Sequence, residues 1–566
     1  MRLIISVALY LLALTLMLVG LAERTVWAPK DSNDISVTIT DPNPLVVIPN
    51  DILKLNPGKP TVTVSGPGRV FVATGREADI TAWVAGSSKT LITYDKQSET
   101  LGSSAVSGLL PSANPLGSDL WRTERAANSK VSVKVATADE NALIVASDGL
   151  VNAPNKVTIK WHQDYDLTPS NILINSGLAL LVITLIYNFF VFRSIRNARR
   201  PRRKLPKAPQ GPKLRRKRTE SSLPPRGRRS SRRNLAVIPA ALVSLAMVTG
   251  CAAATPNASP SPTKDANEVV NAPAALQIGQ IRRIVSAVSR IAETADESNT
   301  AAQLLPRFSG PALEMRDAAY GLLKKTKKAP ALEPIYSSPL TLSLPSATSD
   351  WPRTLMVVTG TDKGTAPQML VLVQAEPRKQ YQVQYLATLA SGVKLPRVAA
   401  VKDGAVPVMP DSAYLQLAPN ELPTAYGSVI DQGSASQFFG KFELTADKFY
   451  QTISAEQKKQ VDTLKSAKFT YQHILADPQP ISMSTADGGA LVAVYMKDIT
   501  KIKPIKRNSG ITVNELQQVA LGSKGSVTGV ASTYGDMLLF YVPSVGQEAR
   551  VQLLGWQTGL LKVKAL

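Results

Sequence analysis

The sequence predicts a multi-domain membrane protein: an all-β sandwich outside the cell, then an α+β region, with two or three transmembrane helices. Three observations predict this fold class: uncharged apolar runs of spanning length, short runs in which apolar and polar residues alternate, and an order of two helices and about four strands that occurs twice. The predicted segments are a transmembrane helix or signal anchor (1–22), an extracytoplasmic β-sandwich (23–171), a transmembrane helix (172–192), a basic disordered cytoplasmic loop (193–234), a third transmembrane segment or internal lipoprotein signal (235–254), a flexible tether (255–273), and two α+β repeats (274–405 and 406–566).

The first two apolar runs are each long enough to cross a bilayer. Residues 3–22 carry no charge, and residues 172–192 are apolar with aromatic side chains at their C-terminal end. A cleaved secretory signal is the alternative for the first run, because Gly20, Leu21 and Ala22 place small residues at the spacing of a cleavage site. We favour a retained anchor, since the charged segment before the run is only Met1-Arg2 and the run exceeds a usual signal core.

Between the second and third apolar runs lies a strongly basic segment. Residues 193–234 hold 18 Lys or Arg against one acid, Glu220, and so carry most of the net charge of +23. The positive-inside rule places this segment in the cytoplasm, with the N-terminus also inside and both globular regions outside. We expect contact with anionic lipids of the inner leaflet. Residues assigned to lipid contact and topology are Arg199, Arg200, Arg202, Arg203, Lys204, Arg215, Arg216, Lys217, Arg218, Arg228, Arg229, Arg232 and Arg233.

Nucleic acid is the alternative partner for such a charge. Binding it would require stacking aromatics or a motif that positions the charge, and residues 193–234 contain no aromatic residue. We therefore expect no nucleic-acid partner.

The third apolar run ends at Cys251, the protein's only cysteine. Val248, Thr249 and Gly250 precede it, an aliphatic residue and two small ones, as in a bacterial lipobox. A basic segment stands before the run, and a tract rich in Ala, Pro and Ser follows, like the tether of a lipoprotein. We predict lipidation of Cys251, which would hold the C-terminal part at the outer leaflet. The alternative is a small apolar residue at the end of a third helix.

The first outer region, residues 34–162, shows β-type alternation. Strands are predicted at 35–39, 62–64, 69–72, 79–84, 90–94, 130–135, 143–146 and 156–161, separated by turns rich in Gly, Pro, Asn and Asp. About eight short strands at this spacing suggest a sandwich. Residues 102–119 are predicted to form a long, weakly structured loop.

In the second outer region the helical and strand patterns alternate in blocks. Helices are predicted at 276–292, 311–324, 423–439 and 446–466, and strands at 340–344, 354–359, 369–374, 381–389, 469–475, 490–497, 526–542 and 551–563. Within 526–542, Tyr534, Gly535 and Asp536 are expected to form the turn of a hairpin. The recurring order suggests an internal structural duplication.

A helix pair on a curved antiparallel sheet resembles the cone-shaped fold of nuclear transport factor 2 and ketosteroid isomerase relatives. The layout also resembles uncharacterised actinobacterial membrane proteins with a C-terminal domain of unknown function. The runs that carry this second resemblance are GLAERTVWAP from Gly20, GPGRVFVATGREADITAWV from Gly66 and GPALEMRDAAY from Gly310. It covers most of the chain and implies an architecture, without an activity or a catalytic residue.

Candidate catalytic residues are few. His473 and Tyr471 lie two apart on a predicted strand, so they face the same side, and Asp477 and Asp498 are near in sequence. Such a group could line a cone as a general base and donor, or it could belong to a solvent face or a core. One cysteine and two histidines make Cys-rich or His-rich metal sites unexpected, so we predict no metal and no cofactor.

These patterns lead to an expected role at the cell envelope. We expect a membrane-anchored protein with a non-enzymatic binding or scaffolding role, its partners being the membrane and an envelope protein or a lipid or sugar ligand. The alternative is an envelope enzyme, of transferase or isomerase type, that uses a cone cavity on a lipid or sugar substrate. An apolar cavity containing His473, Tyr471 and an acid would favour the enzyme, whereas a filled cone would favour the binding protein.

Overall fold

The computed structural model describes residues 2–27, 32–136, 140–162, 167–198, 272–360, 364, 366–506 and 509–566. The chain divides into two compact units. One contains the two long apolar helices, and the other contains both globular regions. The third apolar run, the basic segment and the predicted tether lie outside the described residues.

The helices of the described residues are α1 Arg2–Arg24, α2 Asn50–Leu53, α3 Glu77–Trp83, α4 Thr168–Ala198, α5 Ile278–Ser298, α6 Gly310–Leu323, α7 Leu422–Gln432, α8 Lys448–Thr463 and α9 Glu515–Leu521. The strands of the N-terminal globular region are β1 Ser32–Thr38, β2 Leu45–Ile48, β3 Lys59–Arg76, β4 Lys89–Asp95, β5 Thr100–Val106, β6 Thr123–Lys134, β7 Asn141–Ala146 and β8 Lys156–His162. The strands of the C-terminal region are β9 Leu340–Pro345, β10 Arg353–Thr359, β11 Gln368–Gln374, β12 Gln382–Leu389, β13 Ala467–Leu475, β14 Ile481–Ser484, β15 Ala490–Pro504, β16 Ile511–Thr512, β17 Gly525–Ser526, β18 Val530–Val542 and β19 Gln552–Ala565.

Helices α1 and α4 pack against each other as an antiparallel pair. Their segments Ile4–Arg24 and Thr168–Asn197 are long and apolar enough to cross a membrane. Near one end Ser6 donates a hydrogen bond to Asn188, and near the other Arg24 donates to Ser170. The outward faces of both helices are apolar and exposed, as expected for helices that contact lipid.

The N-terminal globular region, called the β-domain below (residues 32–162), is one curled sheet. Hydrogen bonds join its strands in the order β1-β8-β3-β7-β2-β4-β5, with β6 paired to β3. We expected two packed sheets. A single sheet results because β3 is 18 residues long and pairs with β8 through its first part and with β7 through its last.

The stretch predicted as a strand at 79–84 lies in a helical turn instead. Ile80, Trp83 and Val84 are buried on one side of α3, at the i, i+3 and i+4 spacing of a helix face. Glu77 and Asp79 lie in its first turn, where negative charges interact favourably with the helix dipole. This prediction was therefore wrong because period-2 alternation was assigned to a short segment with period 3.6.

The C-terminal region, called the C-domain below (residues 272–566), contains one large antiparallel sheet. Its strand order is β13-β15-β18-β19-β12-β11-β10-β9, with β14 paired to β15. Each half of this order is a meander preceded by a helix pair: α5 and α6 before β9–β12, and α7 and α8 before β13–β19. The two meanders join where Thr388 pairs with Trp556 and Leu389 with Gly555. We call them the first half and the second half of the C-domain.

The two helix pairs cover opposite faces of the sheet where it is formed by β15 and β18. Leu491, Tyr495 and Leu539 pack in the core of α5 and α6, whereas Val492 and Phe540 pack in the core of α7 and α8. Successive residues of a strand point to opposite faces, so each of these strands contributes to both cores.

The predicted hairpin at 526–542 was wrong. β18 continues without a turn from Val530 to Val542. Gly535 lies inside the strand. A glycine is required at this position because a Cβ there would be 2.6 Å from the Tyr495 hydroxyl. Asp536 is buried beside it, so neither residue serves a turn.

Candidate functional site

The C-domain contains an apolar cavity of about 290 Å³ between α6 and the sheet, lined by residues of both halves. This volume is at the lower end of the range of about 300–1,000 Å³ typical of small-molecule sites. Its apolar wall is formed by Ala312, Met315, Ala319, Leu322, Ala329, Pro330, Ala331, Leu332, Leu386, Leu516, Met537, Gly559 and Leu560. Its polar wall is formed by Arg316, Glu333, Gln368, Gln557 and Thr558.

Small residues on facing elements create this space. Ala312, Met315 and Ala319 recur at three- and four-residue spacing, so they lie on one face of α6 and point toward the sheet. Opposite them, β19 presents Gly559, where an added Cβ would be 3.1 Å from the Met315 methyl group. Two alanines and a glycine leave a gap that larger side chains would fill.

The positive charge that Arg316 brings to the cavity wall is compensated. Arg316 forms an ion pair with Asp296 of α5, and one of its amino groups donates to the Glu333 carbonyl at 3.2 Å. The Tyr320 hydroxyl donates to the same Asp296 carboxylate at 2.6 Å. Because this network fixes the guanidinium, Arg316 forms part of the cavity wall and does not present an unpaired charge to a ligand.

Gln368 is the polar wall residue with unused hydrogen-bonding capacity. Its Nε2 donates to the Pro334 carbonyl at 3.0 Å, while its Oε1 is buried and has no partner among the described residues. A buried acceptor without a donor is unfavourable. The cavity thus suits a mostly apolar, uncharged molecule whose donor group can approach Gln368.

The second half of the C-domain contains a compact titratable cluster where β13 pairs with β15 and packs against α7. His473 of β13 lies opposite Asp498 of β15, which lies opposite Tyr534 of β18. The His473 Nδ1 and the Asp431 Oδ1 of α7 are 2.6 Å apart, and the His473 backbone N–H donates to Asp431 at 3.2 Å. The His473 Nε2 is 3.8 Å from the Asp498 carboxylate.

The protonation of this cluster differs from that of exposed groups. Burial lowers the pKa of His473, but the hydrogen bond that its ring makes to the Asp431 carboxylate and the nearby charges of Asp498 and Asp536 outweigh it, so the net pKa is raised. Burial raises the pKa of Asp498, and it raises the pKa of Asp536 to about 7. The cluster therefore holds protons near neutral pH.

The cluster is closed to ligands. The His473 side chain is 1% exposed, and the adjoining core of α7 and α8 is filled by Tyr426, Phe442, Phe449 and Phe540. Tyr426 and Phe540 pack edge to face with ring centres 4.9 Å apart. The arrangement can bind and hold protons, but it provides no space for a substrate beside His473.

The structure places the two catalytic candidates on one side of β13, as the spacing predicted, but away from the cavity. The Tyr471 hydroxyl donates to Gln460 of α8 at 3.1 Å and lines a shallow groove between α7 and α8. Of the two acids predicted near His473, Asp498 belongs to the cluster. Asp431 was missed because it precedes His473 by 42 residues and only the fold brings α7 onto β13.

Other predicted site residues cannot be placed. Cys251 with Val248, Thr249 and Gly250, and the basic residues from Arg199 to Arg233, lie outside the described residues. Within the described part of the chain, no group of three or more His, Cys, Asp or Glu side chains is arranged to hold a metal ion.

Comparison with known proteins connects this chain to a lipoprotein. The chain is 27% identical over 222 residues to an "Uncharacterized lipoprotein" of Streptomyces avermitilis, and the match covers 38% of this chain and 64% of that protein. The chain thus spans less than two thirds of the relative's length. No solved structure matches the chain, so the resemblance to the nuclear transport factor 2 cone stays a prediction.

A family model covers the C-domain almost completely. It is described as a domain of unknown function, DUF8094, and it matches residues 273–565. These residues are more than half of the chain and include both the cavity and the His473 cluster. The chain belongs to the DUF8094 family.

Proposed function

We propose that this protein is a membrane-attached binding protein whose C-domain takes up a small, uncharged and mostly apolar ligand. The observation that carries the proposal is the cavity beneath α6. It combines an apolar wall, a neutralised arginine and one unpartnered acceptor, Gln368 Oε1. Such a combination of apolar lining and few polar groups is typical of small-molecule sites.

The arrangement favours binding over catalysis. An enzyme of the isomerase type would need a base and a donor within its apolar cavity. Here none of His473, Asp498 and Tyr471 lines the cavity. These three candidates for proton transfer are thus absent from the wall of the space that could hold a substrate.

We further propose that the protein is held at the outer face of the cell membrane. The α1–α4 pair supports attachment, since both helices are of spanning length. The lipobox before Cys251 and the description of the Streptomyces avermitilis relative as a lipoprotein support a second attachment through a lipid on that cysteine. Both globular regions would then face outward, where an apolar ligand of the envelope is accessible.

Native mass spectrometry tests the ligand proposal. The protein is purified from its own membrane, incubated with the lipid extract of that membrane, and released from detergent in the spectrometer. Wild-type protein should carry a small-molecule adduct, and Ala319→Trp, which fills the cavity, should carry about ten-fold less because the space is lost.

Ala318→Trp is the matched control. Ala318 neighbours Ala319 on α6 but does not line the cavity, so this variant should retain the adduct. Detergent carry-over affects all three proteins equally. Equal adduct on Ala319→Trp and wild type, or no adduct on wild type, would rule out the cavity as the binding site.

A further inference from the structure

The β-domain and the C-domain belong to one compact unit, and buried ion pairs join them. We call the surfaces in contact the domain interface. Its charged members include Arg76, Asp79 and Asp119 of the β-domain and Arg283, Arg307, Arg353 and Arg378 of the C-domain. In the sequence, the two domains are separated by α4 and by residues 199–271.

Asp119 receives its hydrogen bonds from the C-domain. Arg307 binds it in a bidentate manner, with N–O distances of 2.6 and 3.0 Å. The backbone N–H of Tyr381 donates to the same carboxylate at 2.8 Å. The carboxylate and the guanidinium are both buried, so each domain compensates a charge of the other.

Asp79 forms a second pair close by. Arg76 of the β-domain binds both of its oxygens at 2.8 and 2.9 Å, and Arg353 of the C-domain donates to Oδ1 at 2.8 Å. Arg353 is fully buried and lies over the Trp351 ring at 3.6 Å. Trp351 in turn packs against the apolar cluster of the β-domain, so polar and apolar contacts cross the interface together.

A third group of contacts consists of hydrogen bonds from C-domain side chains to acceptors of the β-domain, most of them backbone carbonyls. Arg378 donates to the Trp83 carbonyl at 2.8 Å and to the Ser87 hydroxyl at 2.6 Å. Gln280 of α5 donates to the carbonyls of Asp119 and Leu120 at 3.0 and 3.1 Å. Directional bonds of this number fix one orientation of the two domains.

We infer that the domain interface is a permanent subunit interface, so that the β-domain and the C-domain remain bound when the chain between them is cut. Domains joined by a polar interface usually move relative to each other, whereas here the Trp351 ring packs against the apolar cluster of the β-domain and bidentate Arg–Asp pairs are buried beside it. Two buried arginines of the C-domain, Arg307 and Arg353, are thus paired with two aspartates of the β-domain, Asp119 and Asp79. The C-domain would stay at the membrane through α1 and α4 even without a lipid of its own.

Cleavage of the full-length protein tests this inference. A specific protease site is inserted after Pro262, beyond Cys251, so that cutting removes both the covalent link and any lipid from the C-domain. The protein carries an affinity tag at its N-terminus and is cut in detergent at about 0.15 M salt. The C-terminal fragment, which contains neither α1 nor α4, should be captured with the tagged fragment in equal amount. Release of the C-terminal fragment from the wild-type protein would overturn the inference.

Substitutions at the ion pair identify the contacts responsible. Asp119→Ala and Arg307→Met each leave a buried charge without its partner, and each should weaken co-capture by about 100-fold or more. The double variant should be no weaker than either single variant, because the pair is already broken; this coupling separates a lost contact from misfolding. Asp95→Ala, at an exposed turn of the β-domain, is the control and should leave co-capture unchanged. Additive effects of the two interface substitutions, or full co-capture of both, would overturn the assignment to this pair.

Discussion

The two halves of the C-domain share an order of elements and differ in what fills them. Beneath the first helix pair, Ala312 and Ala319 of α6 face Gly559 of β19 and leave a cavity between helix and sheet. Beneath the second helix pair, Tyr426 and Phe540 fill the core, and the titratable residues around His473 lie beside it. The same framework can therefore enclose a cavity or a packed aromatic core. The difference teaches that side-chain volume on the facing elements, more than topology, decides which of the two forms.

The largest expected effect tests whether the second half depends on its filled core. Phe540→Ala removes a fully buried ring that contacts Tyr426 and Phe442, and it should lower the free energy of unfolding by about 3–5 kcal/mol. Urea unfolding monitored by tryptophan fluorescence measures this. A loss below about 1 kcal/mol would show that the core relaxes easily and that the two halves are packed alike.

The next effect concerns the proton-holding cluster of the second half. The pKa of Asp536 is about 7 in the folded protein and about 4 in an unfolded chain, so its contribution to stability is complete below pH 4 and is lost as the pH rises to 7. The raised pKa values of His473 and Asp498 act in the same direction. Between pH 5 and pH 8, Asp536→Asn should gain roughly 2–4 kcal/mol relative to wild type.

Asp95→Asn provides the control for this pH dependence. Hydrogen bonds from Gln97 and Ser98 lower the pKa of this exposed carboxyl, so its contribution changes only in more acidic solution. Denaturant titrations of the three proteins at pH 5 and pH 8 give the comparison. A constant difference between Asp536→Asn and wild type at both pH values would contradict the proton-holding role of the cluster.

The smallest effect compares added volume in the two halves. Gly427→Ala on α7 places a Cβ 2.6 Å from the His473 carbonyl and should destabilise the protein by about 1–3 kcal/mol. Ala319→Trp adds more atoms but fills the cavity, and it should change stability by about 1 kcal/mol or less. Thermal unfolding ranks the two variants. If Ala319→Trp destabilised the protein more than Gly427→Ala, the cavity would not accommodate the added side chain.

Much of the fold follows from periodicity in the sequence. The striped helix α5 and the strands around Val371 and Val492 have apolar residues at the spacing that their faces require. The prediction was wrong where a short segment fitted both the two-residue period of a strand and the 3.6-residue period of a helix, as at Ile80 and Trp83 in α3. Gly535 was taken for a turn because a glycine that makes room for Tyr495 is indistinguishable in sequence from one that permits a turn.

The candidate site was harder to predict than the fold. The small residues of the cavity wall, Ala312 and Ala319, are also typical of any helix, and only their position opposite Gly559 makes a cavity. The contact of Asp431 with His473 and that of Asp119 with Arg307 join residues 42 and 188 positions apart. Such pairs depend on tertiary packing, which no local pattern encodes.

The close packing of α1 and α4 bears on how the chain is processed. A Cβ on Gly177 would be 2.7 Å from Met17, and one on Gly20 would be 2.8 Å from Ile174, so the two backbones approach as in small-residue membrane interfaces. The Asn188 Oδ1 accepts a hydrogen bond from Ser6. Removing α1 as a secretory signal would expose this acceptor to hydrocarbon, at an energetic disadvantage. We therefore predict that α1 is retained in the mature protein, because it completes the packing of the helix that follows the β-domain.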